Sequence, residues 1–296
     1  MSYRTLKFKT IVVATDLSDS ASCALRYARA MARMYGSTLV IVHVIDPLAY
    51  AFPDAASSPI PPHTSAAEEV KRMEEETLAQ GIPVHSVVEG GIVCDRILQT
   101  VVDHHGDLLV LGTRGKTEAG RIALGRIARQ LLAKSRCPIM TVSPDAVAQT
   151  LPWAGCWPRV LAATDFSAAS IRALECAHQV ALRQLILLHV VNQSEQHENA
   201  HLKERLCFLA PFNESHTVPV EHFVVSGDPG EVIAEFANKF GVSLVVIGSP
   251  ENELSEEDFN KSTVLQVVSK VRCPVLCLPF VHDSPAVEGV HAATTH

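Results

Sequence analysis

The tetrapeptide Thr15-Asp16-Leu17-Ser18 returns as Thr164-Asp165-Phe166-Ser167, an offset of 149 in a chain of 296 residues. Val40-Ile41-Val42-His43-Val44 returns as Leu187-Leu188-His189-Val190, with His43 and His189 146 apart. Farther on the offset holds at 136 over four markers: Gly91 and Gly227, Ile97 and Ile233, Gly112 and Gly248, and Cys137-Pro138 and Cys273-Pro274. A constant offset over that distance reads as a duplicated domain rather than one large one. The fall from 146 to 136 localises a deletion after the second strand, where the first half carries a Pro-, Ala- and Ser-rich excursion from Pro47 to Ala67.

Each half alternates strand and helix. In the first, the apolar run Ile11 to Ala14 is followed by Ala24, Leu25, Ala28, Met31, Ala32 and Tyr35 at helical spacing, with Ser18 or Asp19 as N-cap. Thr38 to Val44, Pro83 to Val88, Leu108 to Leu111 and Ile139 to Val142 read as further strands, with helices over Glu68 to Gln80, Arg96 to His104 and Ile127 to Lys134. The second half repeats this order, with strands near Val160, Leu185, Glu221, Leu244 and Val275. Only 5% of residues are aromatic, so the core must be built from Val, Leu, Ile and Ala, as in buried parallel strands. The expected fold is α/β: two tandem doubly wound domains, each with a five-stranded parallel sheet flanked by helices. The domains are expected at 1–145 and 159–281, with a proline-containing linker at 146–158 and a small, polar tail at 282–296.

Several classes of function are excluded. The N-terminus has no apolar signal region, and no apolar run reaches the ~18 residues of a membrane span, so no membrane partner is expected. The eight cysteines form no CxxC pair, which points to a reducing, cytoplasmic setting without structural zinc. Residues 1–150 carry 16 basic and 15 acidic side chains, and residues 151–296 carry 9 and 17, leaving the halves at +1 and −8. With no basic stripe, nucleic acid is not an expected partner. GxGxxG after the first strand, GxxxxGK[ST] and GxSxG are all missing, which removes dehydrogenase, P-loop and α/β-hydrolase readings.

Ligands of doubly wound sheets bind at the carboxyl ends of the strands. There the first half places Thr15-Asp16, Val44-Ile45-Asp46 and Gly112-Thr113-Arg114-Gly115, with Gly125-Arg126 opening the next helix. In the spacing Gly112-x2-Gly115-x9-Gly125, glycines let backbone amides approach phosphate oxygens, and Gly125 stands at a helix N-terminus with unpaired amides. Asp16 can accept from a ribose hydroxyl or an adenine amine. The structural alternatives are that Gly112 only turns the chain and that Asp16 only caps the first helix.

The Ala14-Thr15-Asp16-Leu17-Ser18 strand end, the His43-Val44-Ile45-Asp46 run, the Leu111-Gly112-Thr113-Arg114-Gly115 turn and Cys137-Pro138-Ile139 together resemble the universal stress protein family, and the match covers nearly the whole chain twice. The resemblance implies the adenine-nucleotide alpha hydrolase-like arrangement of five parallel strands. One subgroup of the family binds ATP through G-x2-G-x9-G-[S/T]. By that similarity Asp16 and the Val44 backbone would hold adenosine, Gly112, Gly115 and Gly125 would hold the phosphates, and Ala14, Thr15, Arg114, Arg126 and Ile127 would complete the site. The implied cofactor is ATP, with or without Mg²⁺, and the implied role a nucleotide-responsive stress or regulatory module. The copies would pack as an intramolecular pseudo-dimer, and further homodimerisation stays open.

The sequence departs from that pattern in both copies. Arg126 stands where the motif has Ser or Thr, and either pairs with a phosphate or points to solvent. In the second copy Glu251 and Lys261 replace two of the glycines, Ser262 restores the hydroxyl, and Glu251, Glu253, Glu256, Glu257 and Asp258 crowd the loop with carboxylates. That copy is not expected to bind ATP in the same manner. The competing reading is a nucleotide-free protein-interaction scaffold. A weaker one rests on His197-Glu198-Asn199-Ala200-His201, which matches HExxH but lacks a third ligand. No nucleophile and base are paired, so catalysis is at most slow ATP hydrolysis. His43 and His189 are expected to be core residues bonded to a neighbouring loop.

Overall fold

A computed structural model describes residues 8–47, 63–113, 124–146, 157–191, 199–211, 218–249, 259 and 261–279. The excursion after Pro47 falls mostly outside these residues, as do most of the linker and the whole tail. The first half consists of β1 (Thr10–Ala14), α1 (Asp19–Tyr35), β2 (Thr38–Ile45), α2 (His63–Ala79), β3 (Val84–Gly90), α3 (Val93–Asp103), β4 (Leu108–Gly112), α4 (Arg126–Lys134) and β5 (Ile139–Val142). The second repeats it with β6 (Trp157–Ala163), α5 (Ala168–Val180), β7 (Ala181–Val191), α6 (Asn199–Leu209), β8 (Val220–Ser226), α7 (Pro229–Lys239), β9 (Leu244–Gly248), α8 (Thr263–Lys270) and β10 (Val275–Leu278). Several boundaries differ from expectation, the start of α3 at Val93 rather than Arg96 among them. Trp157 and Pro158, assigned to the linker, already belong to β6. Helix α2 starts at His63, because Ala66, Val70, Met73 and Thr77 form a buried stripe at helical spacing that extends beyond the charged stretch.

Each half has strand order 3-2-1-4-5 with all pairs parallel, and the halves join into one ten-stranded sheet, β3-β2-β1-β4-β5-β10-β9-β6-β7-β8. The join is the antiparallel pairing of β5 with β10: Thr141 with Val275, Met140 with Leu276, Ile139 with Cys277. Side chains alternate across the strands, so both faces need cover. On one face Ile11, Val13, Leu39 and Ile41 pack with α1, and Val160, Ala162, Leu185 and Leu187 with α5. On the other, Val12, Val40 and Val42 pack with α3 and α4, and Leu161, Ile186 and Leu188 with α7 and α8. Most of these strand residues are fully buried, and each buried Val, Leu or Ile contributes about 1.5–3 kcal/mol of hydrophobic stabilisation.

Candidate functional site

The site is built where β1 and its counterpart β6 end. In the first copy Thr15 Oγ1 accepts from the Leu17 N–H at 3.1 Å, Asp16 Oδ1 from the Ser18 N–H at 3.0 Å, and Ser18 Oγ from the Ala21 N–H at 3.2 Å, capping α1. The second copy repeats all three bonds, from Phe166 to Thr164, Ser167 to Asp165 and Ser170 to Ser167. The turn drives Leu17 to φ 64° and Phe166 to φ 65°, the left-handed region that costs a non-glycine residue roughly 1–2 kcal/mol. The repeated tetrapeptide is thus first of all a turn. Ser18 does the capping, while Asp16, half-buried, uses Oδ1 to brace the loop before it.

Two histidines lock the turn to the next strand. His43 Nδ1 lies 2.8 Å from the Thr15 carbonyl and His189 Nδ1 2.7 Å from the Thr164 carbonyl. A carbonyl only accepts, so in both rings Nδ1 carries the proton. Both are half-buried rather than fully in the core.

Gly112 and Gly248 do more than turn the chain. A Cβ on Gly112 would stand 2.5 Å from Ser20 Oγ and 2.9 Å from the Ser20 backbone, and one on Gly248 would stand 2.6 Å from the Ala169 backbone. The first helix of each copy presses against the end of β4 or β9, and only glycine leaves it room.

Of the residues expected to hold a nucleotide, Ala14, Val44 and Gly112 stand at the carboxyl ends of the adjacent strands β1, β2 and β4, Thr15 and Asp16 follow Ala14, and Gly125, bonded to Thr113, leads into Arg126 and Ile127 at the start of α4. Arg114 and Gly115 lie outside the described residues. The base of their loop is clasped: Gly125 donates its N–H to the Thr113 carbonyl at 2.9 Å, and the Thr113 N–H donates to Val142 at 3.0 Å. Gly125 is the N-cap of α4 and offers no side-chain bond to the first turn, which contains no acidic residue and opens on the exposed Arg126. The α8 terminus is finished differently. Ser262 is its N-cap, and its hydroxyl accepts from the Leu265 N–H at 3.4 Å. The hydroxyl regained in the second copy therefore serves its own helix.

A cavity of about 230 Å³ occupies the matching position in the second copy. Its apolar wall is Leu188, Val190, Ile233, Ile247 and Val264, and its polar rim includes Thr164, Asp165, Ser167, Ser249, Ser262 and Thr263. Partial burial alone would raise the Asp165 carboxyl, but hydrogen bonds from the Ser167 hydroxyl and N–H and from Ser170 outweigh it and hold the group below the ordinary 3.8. The degenerate phosphate loop of this copy gives no sign of the cavity. The repeat already aligned Asp165 with Asp16 and Val190 with Val44.

Helix α6 is described from Asn199, with His201 exposed, whereas His197 and Glu198 of the HExxH match lie outside the described residues. Among the described residues, no three His, Cys, Asp or Glu side chains could hold a metal ion, and no helix is long and apolar enough to cross a membrane.

Order 3-2-1-4-5 in duplicate, with a clasped turn at each carboxyl edge, defines a tandem α/β protein of doubly wound type. The sequence model of the universal stress protein family matches residues 7–143 and 157–279, and the chain belongs to that family. It is 32% identical over 139 residues to a universal stress protein of Thermus aquaticus, covering 46% of this chain and 98% of that one. A universal stress protein of Mycolicibacterium smegmatis is 26% identical over 269 residues, 81% of this chain and 86% of its own. The crystal structure of a universal stress protein from Archaeoglobus fulgidus superposes with a TM-score of 0.68 at 20% identity, covering 91% of this chain and 98% of that one.

Proposed function

We propose that the first copy binds ATP or a related adenine nucleotide and that the chain acts in the cytoplasm as a nucleotide-responsive stress or regulatory module. The observation that carries this reading is the α4 terminus. Its first turn has no capping side chain and no carboxylate, and Arg126 adds a cation. Such a terminus favours an anion. Asp16 and Val44 stand on the neighbouring strand ends, where an adenosine attached to that anion would reach. The copies would pack as an intramolecular pseudo-dimer, supported by the β5–β10 pairing. Binding of ATP to the full chain at physiological Mg²⁺, followed by calorimetry, tests the proposal: submillimolar affinity in the wild type and its loss in Gly115→Glu are expected. No such affinity, or none lost, overturns it.

The alternative, a nucleotide-free scaffold, draws on one observation: packing against Ser20 requires Gly112 whether or not a phosphate binds. Mass spectrometry of small molecules released from freshly purified, denatured protein separates the two. Co-purified adenine nucleotide favours the first reading.

A further inference from the structure

We infer that helix α6 is a latch: it opens as a unit while the rest of the second copy stays folded, and it is fastened to the turn after β6 by a stacked column of Arg205, Phe166 and His189. The column joins three elements. The Arg205 guanidinium lies 3.9 Å from the centre of the Phe166 ring. That ring stands 4.5 Å from the His189 imidazole, whose Nδ1 donates to the Thr164 carbonyl at 2.7 Å. Phe166 is the residue of that turn with left-handed backbone, so the column fixes α6 to the point where the chain bends most sharply. The inference stands independently of nucleotide binding in either copy.

The first copy holds the matching helix differently. Arg29 on α1 donates to the Thr77 hydroxyl at 2.8 Å, the Met73 carbonyl at 2.9 Å and Glu76 at 3.4 Å, and Arg33 donates to Gln80 at 3.0 Å. This fork of bonds clamps the last two turns of α2. The 149-residue offset puts His178 and Leu182 in the places of Arg29 and Arg33, and His178 Nδ1 stands 3.0 Å from the Leu174 carbonyl of its own helix. Neither side chain can reproduce a guanidinium fork. Leu17 stands where the second copy has Phe166, so the first copy offers no ring to a cation at that turn. Burial follows the same contrast. Helix α2 buries Ala66, Val70, Met73 and Thr77, whereas within residues 200–209 of α6 Leu206 alone is buried. Arg205 is exposed, and a cation on a ring at an exposed site is a weak fastening. One deep anchor and one weak fastening place α6 at the low end of local stability. Opening breaks the 2.8 Å bond between His222 Nε2 and the Ala210 carbonyl and uncovers β8, the outermost strand of this half, on the face that α6 packs against.

The experiment is amide hydrogen exchange of the full-length protein, resolved by mass spectrometry of its peptic peptides. Four variants accompany the wild type: Arg205→Ala, Phe166→Leu, which installs the first copy's residue, the two combined, and Arg29→Ala, which cuts the clamp on α2. In the wild type the amides of α6 are expected to exchange faster than those of α5 and α2. Arg205→Ala and Phe166→Leu should each speed α6 about two- to fivefold and leave α2 unchanged, and the combined variant should go no further than either alone. Arg29→Ala should speed α2 and leave α6 unchanged. If α6 exchanges no faster than α5 in the wild type, if neither variant of the column speeds it, or if Arg205→Ala acts as strongly in the Phe166→Leu chain as in the wild type, the inference is overturned.

Discussion

Met140 on β5 pairs in register with Leu276 on β10, its own counterpart under the 136-residue offset. Its neighbours obey the same symmetry, since Thr141 faces Val275, the counterpart of Ile139, and Ile139 faces Cys277, the counterpart of Thr141. The register of the seam is therefore symmetric under the repeat, although one chain supplies both sides.

Because Met140 and Leu276 are at most 1% exposed, a charge at either position would be buried against its mate. Met140→Asp and Leu276→Asp are each expected to destabilise the chain by several kcal/mol. Urea unfolding followed by circular dichroism should then show the single transition lose its cooperativity as the halves uncouple. Unchanged midpoints would contradict the seam.

Gly112→Ala and Gly248→Ala force a methyl group to within 3 Å of helix backbone in their respective copies. Each is expected to cost about 1–3 kcal/mol in chemical denaturation. The same loss in the two copies would show that the residue serves the fold first, because only the first copy has the glycine-rich loop.

Leu17 and Phe166 hold left-handed backbone, which β-branched residues tolerate least. Leu17→Val is expected to destabilise by about 1–2 kcal/mol, measured as a fall in melting temperature. Leu17→Asn should recover part of the backbone term.

The Asp165 carboxyl titrates below its ordinary 3.8 in the folded chain. The folded state thus binds the proton less readily than the unfolded one. The resulting stabilisation is complete above pH 3.8 and is lost as pH falls below that value through the folded pKa. Acid unfolding of Asp165→Asn should lack this component.

Burial pushes the Cys176, Cys273 and Cys277 thiols up from 9.0 to about 12, and Cys137 likewise, with Asp107 adding to the effect. Folding therefore favours the protonated thiols, and stability should fall as pH rises above 9.0. Iodoacetamide labelling read by mass spectrometry at pH 8 should modify the exposed Cys207 first, leaving Cys176, Cys273 and Cys277 protected until the chain unfolds.

The architecture was legible in the sequence because its signals are local and repeated. Apolar runs such as Val40 to Val44 mark buried strands, and the repeated offsets carried the succession of strands and helices from copy to copy. The site was legible only in outline. Thr15, Asp16 and Val44 stand at strand ends as expected, but spacing could not show that the Thr-Asp-x-Ser turn binds itself through Leu17, Ser18 and Ala21. Nor could it show that α1 and α5 crowd Gly112 and Gly248, a contact between segments more than 70 residues apart. The cavity beside Asp165 was missed for a similar reason. Its wall combines β7, α7, β9 and α8, which no single motif spans.

The antiparallel seam also decides where each copy faces the world. All strands of one half run opposite to those of the other, so the carboxyl ends lie on opposite rims of the single sheet. A ligand at one rim and a ligand at the other would stand on opposite edges of the sheet. The two halves that own these rims also differ in charge, at +1 for residues 1–150 and −8 for residues 151–296.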